Sequence, residues 1–293
     1  MRWRGVVAVV AAATLWGIAG VVAKSLFVRH TITPEAIVEI RVTAGLALTA
    51  VLLRLQGLSP WLPRSTVVRL IPLGIGMVVS QSMYYLTISL ADVATAIFLQ
   101  YTAPAVVVAY TAIVQRERLS ASQIACLAGA LAGGYLLVVG PQGLTVSAAA
   151  VVAGSASALG FAGWILVGRS ANRLVGPWHM LFYGLLIGSL VWSVYVPPWD
   201  AYLQSYTVGE WALIVYIVVF ATVTPFALFL YGLRFIDSRS ASLTATIEPV
   251  VAAVVAAAWL GEALAGRAIA GAVLILASVI SLQLVPVRPA SRR

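Results

Sequence analysis

Charge is what this sequence has least of. Only 9% of its 293 residues are charged, where a soluble domain carries about 25%. With 62% hydrophobic residues, the chain could not cover its own surface with polar groups, and a bilayer supplies the apolar solvent it needs. Acids are scarcer still, nine Asp and Glu against eighteen Lys and Arg, for a net charge of +9. In a soluble protein that excess would suggest a nucleic-acid partner. Here the cations sit in short connections between apolar runs, where they set topology instead. The single cysteine, Cys126, excludes an intramolecular disulfide and reads as a small apolar side chain. The two histidines, His30 and His179, are far apart, and no His, Cys and carboxylate cluster has metal-ligand spacing. No G-x-x-x-x-G-K-[ST] loop is present, so no nucleotide hydrolysis and no cofactor are expected.

What is abundant is the long apolar run. A helix needs about 20 apolar residues to cross about 30 Å of hydrocarbon. Ten such runs are read at 5–23, 34–53, 70–89, 93–114, 121–140, 147–168, 177–196, 211–233, 240–260 and 266–285. They are continuously apolar rather than alternating, which excludes a membrane β-barrel. The first run is expected to be retained as a span rather than removed as a signal peptide, because the repeat described below reuses it. With the N-terminus in the cytoplasm, fourteen of the eighteen cationic residues fall inside. Lys24, Arg29 and Arg267 fall outside, and Arg41 lies within the second span. That bias places both termini in the cytoplasm and the chain in the inner (plasma) membrane. Trp3, Trp61, Trp178, Trp199, Tyr202, Tyr206 and Trp211 near span ends read as interfacial anchors. Gly129 with Gly133, and Gly184 with Gly188, read as close-packing positions, within the bundle or between subunits.

Shifting the chain by 145 residues sets Asp92 on Asp237, Ala96 on Ala241, Pro104 on Pro249, Glu117 on Glu262 and Leu119 on Leu264. Seven of the 37 positions in 84–120 match identically, all in that one register, and Lys24-Ser25 falls on Arg169-Ser170. The chain therefore divides into repeats at 1–142 and 143–293, each with five spans. An odd number of spans inserts the second repeat upside down. Inverted repeats of this kind frame secondary transporters, with the substrate site near the midplane between the halves.

The chain resembles the EamA-type transporters of the drug/metabolite transporter superfamily. The resemblance is carried by Leu15-Trp16-Gly17 in span one, Arg41 in span two, and the paired stretches running from Pro104 to Glu117 and from Pro249 to Glu262. It covers nearly the whole chain. It implies an all-α integral membrane fold, with ten helices in two inverted five-helix repeats around a central cavity. It also implies secondary transport, often export of amino acids or other metabolites.

Ionisable groups inside a membrane are costly and are functional candidates by default. Glu248 is the foremost, deep in span nine directly before Pro249. Proline removes a backbone donor, so Pro249 frees the carbonyl of Ala245 and Pro104 frees that of Gln100, and both helices should kink. Burial penalises the charged form of Glu248, and a carboxyl tuned in this way can take up and release a proton. The opposing reading is a protonated structural glutamate. Gln100, Tyr101 and Thr102 occupy in span four the places of Ala245, Thr246 and Ile247 in span nine, so Gln100, Tyr101 and Thr246 are expected to line the cavity unless they serve only interhelical packing. Arg41 could hold a substrate carboxylate in a bidentate contact. It could equally form a structural ion pair, although Glu39, two residues away, does not share its helix face. Trp16, Tyr84 and Trp164 complete the substrate-binding candidates as ring platforms, against the plainer reading of core packing. Glu117 and Glu262 read as interfacial capping or pairing residues, and Asp92 and Asp237 as charges favouring helix N-termini.

These readings combine into an alternating-access secondary transporter rather than an enzyme. Its partners are the lipid bilayer and a small polar or amphipathic metabolite, first of all an amino acid, exported with proton coupling. A facilitator or importer of a sugar, nucleobase or quaternary amine is the alternative. An intramembrane lipid-modifying enzyme is disfavoured, because no cluster of acids, His or Ser gathers at one membrane face. The oligomeric state is open.

Overall fold

The computed structural model describes residues 2–28, 32–91, 93–138, 147–260 and 266–284, and every described element is a helix. Glu262 and Asp92 lie outside the described residues. In chain order the helices are α1 (Arg2–Val28), α2 (Pro34–Leu55), α3 (Arg64–Leu90), α4 (Val93–Gln100), α5 (Ala103–Ile113), α6 (Ala121–Val138) and α7 (Ala148–Ala171). They continue with α8 (Pro177–Tyr195), the short α9 (Pro198–Tyr202), α10 (Val208–Tyr216), a π-helical segment (Ile217–Val223), α11 (Thr224–Gly232), α12 (Ser238–Ala245), α13 (Glu248–Leu260) and α14 (Gly266–Leu284). Among the described residues, nine stretches are long and apolar enough to cross a membrane. A tenth apolar helix, Ala121–Leu137, accounts for 17 described residues of the run read at 121–140.

Three spans are compound. The run 93–114 is α4 followed by α5, and 240–260 is α12 followed by α13. The two breaks fall at Tyr101-Thr102 and at Thr246-Ile247, 145 residues apart, each one residue before an X-Pro pair. At both, the ladder tightens to bonds three residues back, from Thr102 N–H to the Leu99 carbonyl (3.1 Å) and from Thr246 N–H to the Leu243 carbonyl (3.2 Å). The eighth run is α10, the π-helical segment and α11 in one rod. The third helix starts at Arg64, six residues before the apolar run, because two polar turns precede it. The connection after α8 contains the extra helix α9, and α10 opens with a capping box made by Thr207 and Glu210.

Contacts between helices recur with the roles of the halves exchanged. Helix α1 packs on α11 and α13, while α7 packs on α3, α4 and α5; α2 packs on the π-helical segment, while α8 packs on α3. The pairs α2 with α8, α5 with α12, and α6 with α14 join the first half of the chain to the second. Small residues set the closest approaches. A Cβ on Gly133 would stand 2.7 Å from the Gly271 carbonyl, one on Gly76 would stand 2.9 Å from the Trp164 backbone nitrogen, and one on Gly17 would stand 2.7 Å from the Glu248 carbonyl. Gly129 faces Ser278, Gly184 faces Met77, and Gly188 faces Val42, so both sequence-marked glycine pairs pack within the bundle.

One end of the bundle gathers helix termini read as cytoplasmic. Arg2 reaches the Leu282 carbonyl (3.4 Å) and Gln283 (3.5 Å), joining the start of α1 to the end of α14. Arg169 donates to the Leu233 carbonyl, and His179 meets the Ser59 carbonyl at 2.9 Å. Asp237 caps α12 by accepting from Ser240 N–H at 3.0 Å.

Candidate functional site

The two helix breaks face each other near α6 and α14. A cleft of only about 10 Å³ separates them, lined by Tyr101 and Thr246 from the breaks, Pro249 behind them, and Phe98, Ala130, Leu131, Gly134 and Ile275. Glu248 is the first residue of α13 and is half-buried. It is therefore at the break, where the backbone is not closed by a continuous ladder. The Tyr101 phenol, from the equivalent break of the other half, interacts with the Glu248 carboxyl. Arg41 lies within electrostatic reach of Glu248, and Tyr84 within reach of Glu248, Arg41 and Tyr85. The structure thus brings Arg41, Tyr84, Tyr101 and Glu248 into one polar group inside the bundle, drawn from α2, α3 and the two breaks.

Arg41 is the most firmly held member. Its Nε donates to Thr222 Oγ1 at 2.9 Å, one terminal nitrogen to Tyr85 Oη at 3.3 Å, and the other to the Ala221 carbonyl at 3.3 Å. The Ala221 carbonyl is available because Pro225, four residues on, has no N–H to give it. Within the π-helical segment Thr222 also donates to the Ile217 carbonyl at 3.3 Å, and π-helical turns often occur at functional positions. A guanidinium has five N–H donors, so these three bonds orient Arg41 and leave donor capacity for an anion. Tyr85 and Thr222 were not singled out from sequence. The available signal was Pro225 within an apolar run, which marks Ala221 as an exposed acceptor in the same way that Pro104 and Pro249 mark theirs.

The remaining candidates are held by other contacts. Gln100 donates to Ser80 (3.1 Å) and Ser157 (3.0 Å), and Ser157 donates to the Ser80 carbonyl at 2.8 Å, a polar clasp joining α3, α4 and α7. Thr246 is buried and gives its hydroxyl to the Leu243 carbonyl at 2.7 Å. Trp16 and Trp164 enter one aromatic cluster with Phe161, Phe226 and Phe229. Trp16 is 5.0 Å from Phe226, and Trp164 is 5.2 Å from both Phe226 and Phe229. Trp164 is only 2% exposed, whereas Trp16 is half-buried. A groove of about 480 Å³ is separate from all of these. It lies between α2 and α8, and Arg54 is its one charged lining residue. Among the described residues, no three His, Cys, Asp or Glu side chains gather as metal ligands.

Known proteins share both sequence and shape with this chain. The EamA-like transporter family matches it twice, over residues 3–139 and 148–283. An uncharacterized transporter of Archaeoglobus fulgidus is 29% identical over 197 residues, 67% of this chain and 69% of that protein. The uncharacterized inner membrane transporter YicL of Salmonella typhimurium is 29% identical over 296 residues, covering 96% of this chain and 95% of its own length. A protein of known crystal structure superposes with a TM-score of 0.81 at 19% identity, covering 97% of this chain and 98% of that one, and so shares the fold. Matched across both of its repeats, the chain belongs to the EamA-like transporter family and is a multi-span membrane transporter of a small molecule.

Proposed function

We propose that this transporter exports a small polar or amphipathic metabolite, first of all an amino acid, by proton-coupled alternating access. Ten spans in two inverted halves, 1–142 and 143–293, form the frame, with both termini in the cytoplasm of a cell whose inner membrane holds the protein. The observation that carries the reading is the pairing of Glu248 and Tyr101 at equivalent helix breaks, with Arg41 held beside them by Thr222, Tyr85 and the Ala221 carbonyl. A carboxyl and a guanidinium in one polar group match the ammonium and carboxylate of an amino acid. Tyr84 offers an aromatic face within that group, and Trp16, half-buried against Phe226, is the second ring candidate. Gln100, Thr246 and Trp164 support the walls through the contacts described above. The breaks are the hinges: bonds lost there cost the helix nothing further when the half-helices reorient. Glu248 takes a proton in one conformation and yields it in the other.

Inside-out vesicles containing the protein test this. An acidic interior should drive accumulation of one class from a labelled panel of amino acids, amines, sugars and nucleobases. Gradient-independent equilibration of a solute would establish a facilitator and remove the proton role. Movement of sugars or nucleobases alone would replace the amino-acid assignment.

A further inference from the structure

Glu39 is a second carboxyl inside the bundle, and the site around Glu248 does not use it. It is 0% exposed, on α2, facing α8. Ser193 of α8 donates to its Oε1 at 2.8 Å, and its Oε2 has no hydrogen-bond partner among the described residues. The nearby cation does not serve it. Arg41 turns to α3 and the π-helical segment, where Tyr85, Thr222 and Ala221 hold it. Two hydroxyls stand nearby. Thr43 Oγ1 donates to the Glu39 carbonyl at 2.6 Å and shares a 2.8 Å contact with Tyr202 Oη of α9. Tyr202 is the titratable group facing Glu39 from α9, and burial first, with Glu39 adding, pushes its phenol above the usual range. It is therefore a neutral hydroxyl and supplies no countercharge.

Among the described residues an ionised carboxylate in this place has one donor, Ser193, and no paired cation, and a buried charge so placed costs several kcal/mol. The protonated acid carries none. We propose that Glu39 is a second proton-binding site, occupied while α2 and α8 are packed together and vacated when they part and water reaches it. Occupancy follows from burial and the unpartnered oxygen alone; release on parting rests on the alternating-access reading. A hard cation such as sodium is a poorer occupant, because among the described residues only the carboxyl and the Ser193 hydroxyl converge directly, and hard cations gather about six oxygens.

The test is infrared spectroscopy of the full chain in lipid vesicles at neutral pH, which reads the carbonyl stretch of protonated carboxyls without any substrate. Glu39→Gln should remove one protonated-carboxyl band and keep the wild-type melting temperature, because the amide imitates the neutral acid. Glu248→Gln should leave that band in place. Glu39→Asp, which retains a carboxyl, should shift the band rather than remove it. Spectra of wild type and Glu39→Gln that coincide in this region would overturn the proposal. So would a band that appears only when sodium is withdrawn. A null result in transport with the band present would instead count against the proton-coupled export reading.

Discussion

Arg239 and Glu117 meet at 2.7 Å, tying the start of α12 to the chain just beyond α5. Asp237 stands 3.7 Å from the same guanidinium. The repeat puts Ala94 where this pair has Arg239, so no equivalent pair can form in the other register. The contact belongs to one end of the molecule only. Glu117 is partly exposed, at 37% of its side chain, so the pair is worth about 1 kcal/mol or less. Arg239→Gln and Glu117→Gln should each lower thermal stability in detergent slightly, and the double variant should lose no more than the larger single loss. Strictly additive losses would show that the two side chains do not act on each other.

Arg41→Lys should abolish transport and cost about 1–3 kcal/mol of stability. A lysine keeps the charge but cannot reach Thr222, Tyr85 and the Ala221 carbonyl at once. Uptake into vesicles together with a thermal melt separates the two effects. Wild-type transport by Arg41→Lys would mean that the charge matters and the fork does not.

Glu248→Gln should express and melt like the wild type, since the amide is isosteric. It should remove the response of transport to an imposed pH gradient. An undiminished gradient response in that variant would take the proton from Glu248.

Gly133→Ala and Gly134→Ala make a matched pair. A Cβ at Gly133 meets the Gly271 carbonyl at 2.7 Å, while one at Gly134 meets nothing within 4 Å. The first should destabilise by about 1–3 kcal/mol as α6 is pushed from α14. The second should be neutral or stabilising by up to about 1 kcal/mol through helix propensity. Equal effects in thermal melts would contradict the close approach of these two helices.

Trp164→Ala should cost about 3–5 kcal/mol, the usual loss for emptying an aromatic site in a core. Trp164→Phe should cost much less and leave substrate affinity unchanged, because Trp164 is enclosed by Phe161, Phe226 and Phe229. A large affinity change in Trp164→Phe at wild-type stability would place this ring at the substrate.

The membrane class and nine of the ten spans were legible, because hydrophobic length is a direct physical signal, and one that little else in a sequence imitates. The register of 145 residues was legible from Pro104 and Pro249, and the breaks fall one residue before each X-Pro pair. What could not be read was rotation about each helix axis. The runs are apolar on all sides, so nothing in the pattern says that Arg41 turns to Thr222 while Glu39 turns to Ser193. For the same reason Trp16 and Trp164, alike as residues, differ in exposure only through their neighbours. The π-helical turn was hidden too, because Ile217–Val223 has the composition of any apolar span and only Pro225 beyond it disturbs the ladder.

The meeting of Gly133 and Gly271 carries a consequence for motion. A Cβ on either glycine would stand against the carbonyl of the other, at 2.7 and 2.5 Å, so the two backbones touch with no side chain between them. Such a seam leaves no room for an acyl chain and no flexible layer to take up sliding. Helices α6 and α14, one from each half, should therefore travel as a single rigid pair whenever the rest of the bundle rearranges.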